Sequence, residues 1–141
     1  MTPAEAWAAV VAGEDAAVYA YSVAGARVSP ADRRRSRTGL DAHRERRALA
    51  STLTIAAGGT VPSPLSAYAL PDGVDQPRTA ARTLAEVDNA LVAVYADAAA
   101  ATQGEDRRWA ARSAADCASS AVAWGAAPQA FPEARGSGST A

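Results

Sequence analysis

The 141-residue chain is 49% hydrophobic and carries a formal charge of −1, enough apolar content for one domain to close a single core without disulfides or structural metal. The near-neutral balance gives no global field for nucleic acid or an anionic membrane, and the single cysteine, Cys117, excludes an intramolecular disulfide and any multi-cysteine zinc or iron–sulfur site. Only 6% of the chain is aromatic and much of the rest of the apolar content is alanine, so the core is expected from closely approaching helices. The start of the chain has no basic segment followed by an apolar run, and no later stretch approaches the roughly twenty apolar residues of a membrane span. A protein with no membrane association and a cytoplasmic location is the expectation.

Thr2-Pro3-Ala4-Glu5 is a capping box with proline in the first helical position, which predicts a first helix from Pro3 to about Arg27. Ser29-Pro30-Ala31-Asp32 repeats the start signal, and the second helix is expected to run to Gly58-Gly59, where left-handed backbone can end it. The segment 60–76 contains Pro62, Pro64, Pro71 and Gly73 and is longer than an ordinary helix–helix connection, so it must cross over something. Pro77 opens a third helix to about Thr102, and Gly104-Glu105-Asp106 opens a fourth that ends near Trp124-Gly125. From Ala126 onward, Pro128, Pro132 and the run Gly136-Ser137-Gly138-Ser139 predict a partly docked segment and then a flexible tail over 133–141, outside a domain of residues 1–132. The predicted fold is all-α, a four-helix bundle with a long crossover between helices 2 and 3.

At about 100° per residue, Trp7, Val11, Val18, Tyr21 and Gly25 share one stripe of the first helix, with Glu14 at its centre. The stripe of the third helix is Leu84, Val87, Leu91, Val94 and Tyr95, with Asp88 beside it; on the fourth, Trp109, Ser113, Ser120 and Ala123 share a face with Asp116. Three helices are thus expected to aim one carboxylate each inward. On the second helix the best apolar face is Ala42, Leu49, Leu53 and Ala57, with Arg46 inside it and His43 at its margin. A buried carboxylate needs a partner or a cation, and the candidates are a metal, Arg46, Arg47 and His43.

One inward acid per helix, a histidine on the second helix and a long crossover resemble the ferritin-like superfamily. The runs Glu14-Asp15-Ala16-Ala17-Val18-Tyr19-Ala20-Tyr21, Ala42-His43-Arg44-Glu45-Arg46-Arg47, Ser66-Ala67-Tyr68-Ala69-Leu70-Pro71 and Glu86-Val87-Asp88 look more narrowly like a bacterial ferritin-like domain family of unknown function, over about residues 4 to 132. The resemblance implies a histidine after the first-helix glutamate, where this chain has Asp15.

A ferritin-type di-iron centre draws on four carboxylates and two histidines, and the chain has one histidine. No cofactor is therefore expected. The main expectation is a central charge cluster of Glu14, His43, Arg46, Arg47, Asp88 and Asp116, in which guanidinium and imidazole neutralise the acids. The alternative is a single iron or manganese ion held by Glu14, His43, Asp88 and Asp116. No residue is singled out as catalytic: His43 has no neighbouring nucleophile in sequence, and Cys117 reads as a small buried side chain. The basic run Arg33-Arg34-Arg35 with Arg37 reads either as an anion patch or, with Asp32, Asp41 and Glu45 near it, as a solvated helix end. A second apolar strip on the first helix, Ala8, Ala12, Ala16, Tyr19 and Val23, predicts a homodimer through the outer faces of helices 1 and 3 or a protein partner. The expected activity is that of a non-catalytic, partner-binding bundle, with a degenerate metal-handling protein or oxidase as the alternative.

Overall fold

The computed structural model describes residues 1–130, and all regular structure among them is helical. Helix α1 spans Pro3–Val23, α2 Arg33–Ala56, α3 Pro77–Ala101 and α4 Gly104–Ala123. The capping box closes as its residue types require: Thr2 Oγ1 accepts from the Glu5 amide at 3.2 Å, and the Thr2 amide donates to the Glu5 carboxylate at 2.7 Å. The first helix ends earlier than expected, at Val23, and tightens into a 3₁₀ turn over Ala24–Ala26, a common way for a last turn to satisfy its carbonyls. A second 3₁₀ turn, Pro30–Asp32, leads into α2. At its far end Gly58 adopts φ +79° and the Gly59 amide donates back to the Thr54 carbonyl at 2.9 Å, a Schellman closure. Gly125, at φ +107°, ends α4 the same way, with the Ala126 amide on the Ala121 carbonyl.

The packed pairs are α1 with α2, α1 with α3 and α3 with α4. Two apolar clusters form along the bundle. One gathers Trp7, Val10, Val11, Leu91, Val94 and Tyr95; the other gathers Tyr21, Ala24, Val28, Leu84 and Trp124. Glu14 lies between the two sets on α1, and Asp88 between them on α3. The crossover, residues 57–76, lays Tyr68 against Tyr19, ring centroids 5.5 Å apart, and packs Leu70 and Val74 on the second cluster. Along the outer strip of α1, Ala8, Ala16, Tyr19 and Val23 are half-buried and only Ala12 is exposed.

Two inner faces differ from expectation. On α2 the buried residues are Ser36, His43, Ala50 and Thr54, whereas Leu49 is 41% exposed and Ala57 is exposed. The helix is rotated so that its histidine, rather than its leucines, meets the acids of α1 and α3, because two buried carboxylates without a cation cost more than one exposed leucine. On α4 the inward line is Ala110, Ser113, Cys117 and Ala121, and Asp116 is exposed. The position next along the helix carries its side chain about 100° away. The domain end at 132 and the tail over 133–141 lie outside the described residues.

Candidate functional site

Glu14 and Asp88 are fully buried and His43 is 1% exposed. The imidazole lies between the two acids. Its Nδ1 is 2.6 Å from Glu14 Oε2 and its Nε2 is 2.9 Å from Asp88 Oδ1. Arg46 Nη2, a donor, also lies 3.2 Å from Nδ1, but the shorter approach of Glu14 there and of Asp88 at Nε2 favours the doubly protonated imidazolium, because a neutral ring would turn one lone pair onto a carboxylate. Burial works against that charge, but hydrogen bonds to Asp88 and Glu14 and their negative charge outweigh it, so the pKa of His43 lies above the ordinary histidine value.

The remaining carboxylate valences are filled from three sides. Arg46 Nε donates to Glu14 Oε1 at 3.0 Å, and the Tyr95 hydroxyl donates to the same oxygen at 2.5 Å. The Tyr21 hydroxyl donates to Asp88 Oδ2 at 2.7 Å, and Ser120 donates there too. Trp124 Nε1 in turn donates to the Tyr21 oxygen at 2.8 Å. Burial, followed by the adjacent carboxylate, raises both tyrosine pKa values, which keeps the phenols protonated as donors. Two carboxylates face one imidazolium and one guanidinium, so the buried set is neutral overall.

The cluster has an internal two-fold logic. Tyr21 follows Glu14 by seven residues and Tyr95 follows Asp88 by seven, which puts each tyrosine two turns along its acid's stripe. Because α1 and α3 run antiparallel, each tyrosine reaches the acid of the other helix, and His43 sits at the crossing.

Of the residues expected at the centre, the structure brings together Glu14, His43, Arg46 and Asp88. Arg47 is elsewhere. Its Nε donates to Asp15 Oδ1, a separate ion pair on the α1–α2 flank, and the other Asp15 oxygen, buried, has no hydrogen-bond partner among the described residues. Asp116 is exposed on α4 and takes no part, so it neither joins the charge cluster nor completes the four-residue ion site expected with Glu14, His43 and Asp88. Sequence reasoning missed the donors Tyr21, Tyr95, Ser120 and Trp124 as members, although the matching Glu-x6-Tyr and Asp-x6-Tyr spacings marked two of them. It also missed Asp15. The signal for that pair was an acidic doublet, Glu14-Asp15, facing a basic doublet, Arg46-Arg47, with equal offsets of 32 residues.

The donor set does not fit a di-iron centre. Two buried carboxylates stand where four are needed, every oxygen of both already accepts a hydrogen bond, and both nitrogens of the only imidazole face carboxylates. Among the described residues no group of three or more histidine, cysteine, aspartate or glutamate side chains is arranged to hold a metal ion. Cys117 is buried nearby, and burial pushes its thiol pKa well above the ordinary range, which disfavours the thiolate.

The family described as a domain of unknown function, DUF4439, matches residues 6–136. The fold is similar to the crystal structure of a conserved hypothetical protein, rv2844, from Mycobacterium tuberculosis, with a TM-score of 0.81 and 26% identity over 86% of this chain and 93% of that one. No curated protein matches the chain. Among the described residues no helix is long and apolar enough to cross a membrane.

Proposed function

This chain belongs to the DUF4439 family, and from that premise we propose that it is a ferritin-like bundle in which a buried ion network replaces a di-iron centre. In this reading the protein is non-catalytic and acts through its surface, on a second copy of itself or on another protein. The observation that carries the reading is His43, whose two ring nitrogens are both spent on carboxylates. A histidine ligates through a nitrogen lone pair, and an imidazolium has none. The acids are likewise saturated by Arg46, Tyr21, Tyr95 and Ser120, so the centre holds the helices in register and offers no open coordination position.

The partner reading places a homodimer on the outer faces of α1 and α3, where small side chains such as Ala12, Ala90 and Ala100 are exposed and allow close helix approach. The crossover already covers Tyr19 of the α1 strip, through Tyr68, which leaves Ala12 as its exposed position. Size-exclusion chromatography with light scattering tests it: a dimer that dissociates in an Ala12→Arg variant is expected, and a strict monomer at high concentration removes the homodimer. Elemental analysis after expression in iron- and manganese-supplemented medium tests the rest. Substoichiometric metal is expected, and one bound ion per chain would overturn the ion-network reading in favour of a cytoplasmic metal-handling protein.

A further inference from the structure

We propose that the cleft between α1, α2 and the crossover is a binding site for a small aromatic ligand that carries a neutral O–H or N–H donor on its ring. The feature that points to it is the second carboxylate oxygen of Asp15. The residue is 6% exposed, its Oδ1 accepts from Arg47, and its Oδ2 is the one buried side-chain polar atom without a hydrogen-bond partner among the described residues. A buried acceptor with no donor is costly, and folded proteins keep few of them. Asp15 lines a cleft of ≈ 430 Å³, a size that suits a small molecule.

The other polar groups of the lining are committed elsewhere. Ser22 Oγ donates to the Val18 carbonyl at 2.7 Å, and Arg44 lies 3.7 Å from Asp41. The Tyr68 hydroxyl accepts from the Leu65 amide at 3.1 Å, which holds that ring in place. Tyr19 and Tyr68 stand with centroids 5.5 Å apart and planes tilted by 52°, and with Val18, Pro64 and Leu65 they give the cleft an aromatic and apolar lining. Leu65 is 66% exposed, so a ring seated against it removes apolar surface from water.

Charge decides the class of donor. Asp15 is already matched by Arg47, and Arg44 is a second cation in the lining, where Asp15 is the only acid. A cationic ligand would meet two guanidinium groups and one carboxylate, a net repulsion. An anion would set its charge against Asp15 Oδ2 and bring no proton to it. What Asp15 lacks is a hydrogen bond, not a counter-charge. A neutral phenol-type or indole-type ring supplies that bond from its one polar hydrogen, and its faces and edges pack on the two tyrosines. The site stands apart from the Glu14–His43–Asp88 network, so its occupancy does not depend on what neutralises that centre.

The test titrates the full chain with para-cresol, with indole and with para-methylanisole, the last being the cresol ring with its hydroxyl capped. NMR follows the Asp15 amide, the Leu65 methyls and the ring protons of Tyr19 and Tyr68. Saturable shifts at these four residues are expected with para-cresol, indole or both, and para-methylanisole should bind about tenfold more weakly than para-cresol, the worth of one buried hydrogen bond. Saturation by para-cresol alone assigns an O–H donor, by indole alone an N–H donor, and by both a neutral donor of either kind; with indole alone, N-methylindole takes the place of the capped ring. Asp15→Asn, which can keep an acceptor for Arg47 and turn an amide donor to the cleft, should abolish the preference for the uncapped ring. Tyr68→Ala, half-buried on the crossover, should weaken every probe and leave the helical circular dichroism unchanged. The capped and uncapped rings are compared on the wild-type chain, so the result stands even where Asp15→Asn does not fold. No saturable shift with either donor probe, shifts confined to residues outside this cleft, or equal affinity for capped and uncapped rings overturns the proposal.

Discussion

His43 ties protonation to stability with a definite sign. Its folded pKa is raised above the unfolded value of about 6.5, so the network contributes fully below about pH 6.5 and its contribution is lost as pH rises through the folded value. Thermal melts between pH 6 and 9, a window below the ordinary tyrosine range of about 10, should show stability falling with pH in the wild type. In His43→Gln the slope should be flatter, and equal slopes in the two proteins would sink the assignment of an imidazolium. Removing Glu14 strands His43 and Arg46 in the core together. Glu14→Ala is expected to cost about 3–5 kcal/mol, measured by chemical denaturation. Asp116→Ala, exposed and outside the network, should stay within about 0.5 kcal/mol of wild type.

At the scale of the helix, two positions separate local propensity from packing. Thr2 carries both halves of the capping box, and Thr2→Ala should lower stability by about 1 kcal/mol, read from the same denaturation curves. Gly39 lies in the interior of α2, where alanine gains about 1 kcal/mol of helix propensity. A Cβ at that position, however, would run into the ring of Tyr21. That ring cannot step aside, because its hydroxyl is held by Asp88 and by Trp124. Gly39→Ala is therefore expected to be net destabilising by about 1–3 kcal/mol, and a stabilised variant would show the Tyr21 bridge to be soft. The close α1–α3 approach follows the same logic, since a Cβ at Gly13 would lie 2.8 Å from Leu91 Cδ2. The tight α3–α4 turn is secured differently: Arg107 Nε donates to the carbonyls of Ala99 and Thr102 and closes the end of α3.

Across the whole molecule, the ion network sits between two apolar clusters that are rich in alanine and close on themselves. Large side chains are few, so register between helices falls to directional contacts. Each acid is read by a tyrosine from the other helix, and one imidazolium reads both. A core held this way should respond to charge removal and not to chelation. With excess EDTA the melting temperature is expected to stay where it is, and a drop of several degrees would point to a structural ion.

Much of this architecture was legible in the chain before folding. Thr2 with Glu5, Gly58, Pro77 and Gly125 marked helix ends, because caps and left-handed turns depend on residue types a few positions apart. Glu14, His43 and Asp88 were legible as buried charges, since each fell on or beside an apolar stripe. What the sequence could not decide was rotation. Leu49 promised an apolar inner face for α2 and Asp116 an acid on α4, but the angle of each helix about its axis follows from pairing energies with other helices. The carboxylates of α1 and α3 drew His43 inward and left Leu49 in water, and α4 turned Cys117 rather than Asp116 to the centre. Helix limits and charged residues are properties of neighbouring residues along the chain; which charges meet, and the cleft between α1, α2 and the crossover, are properties of segments far apart in sequence, and only tertiary packing sets them.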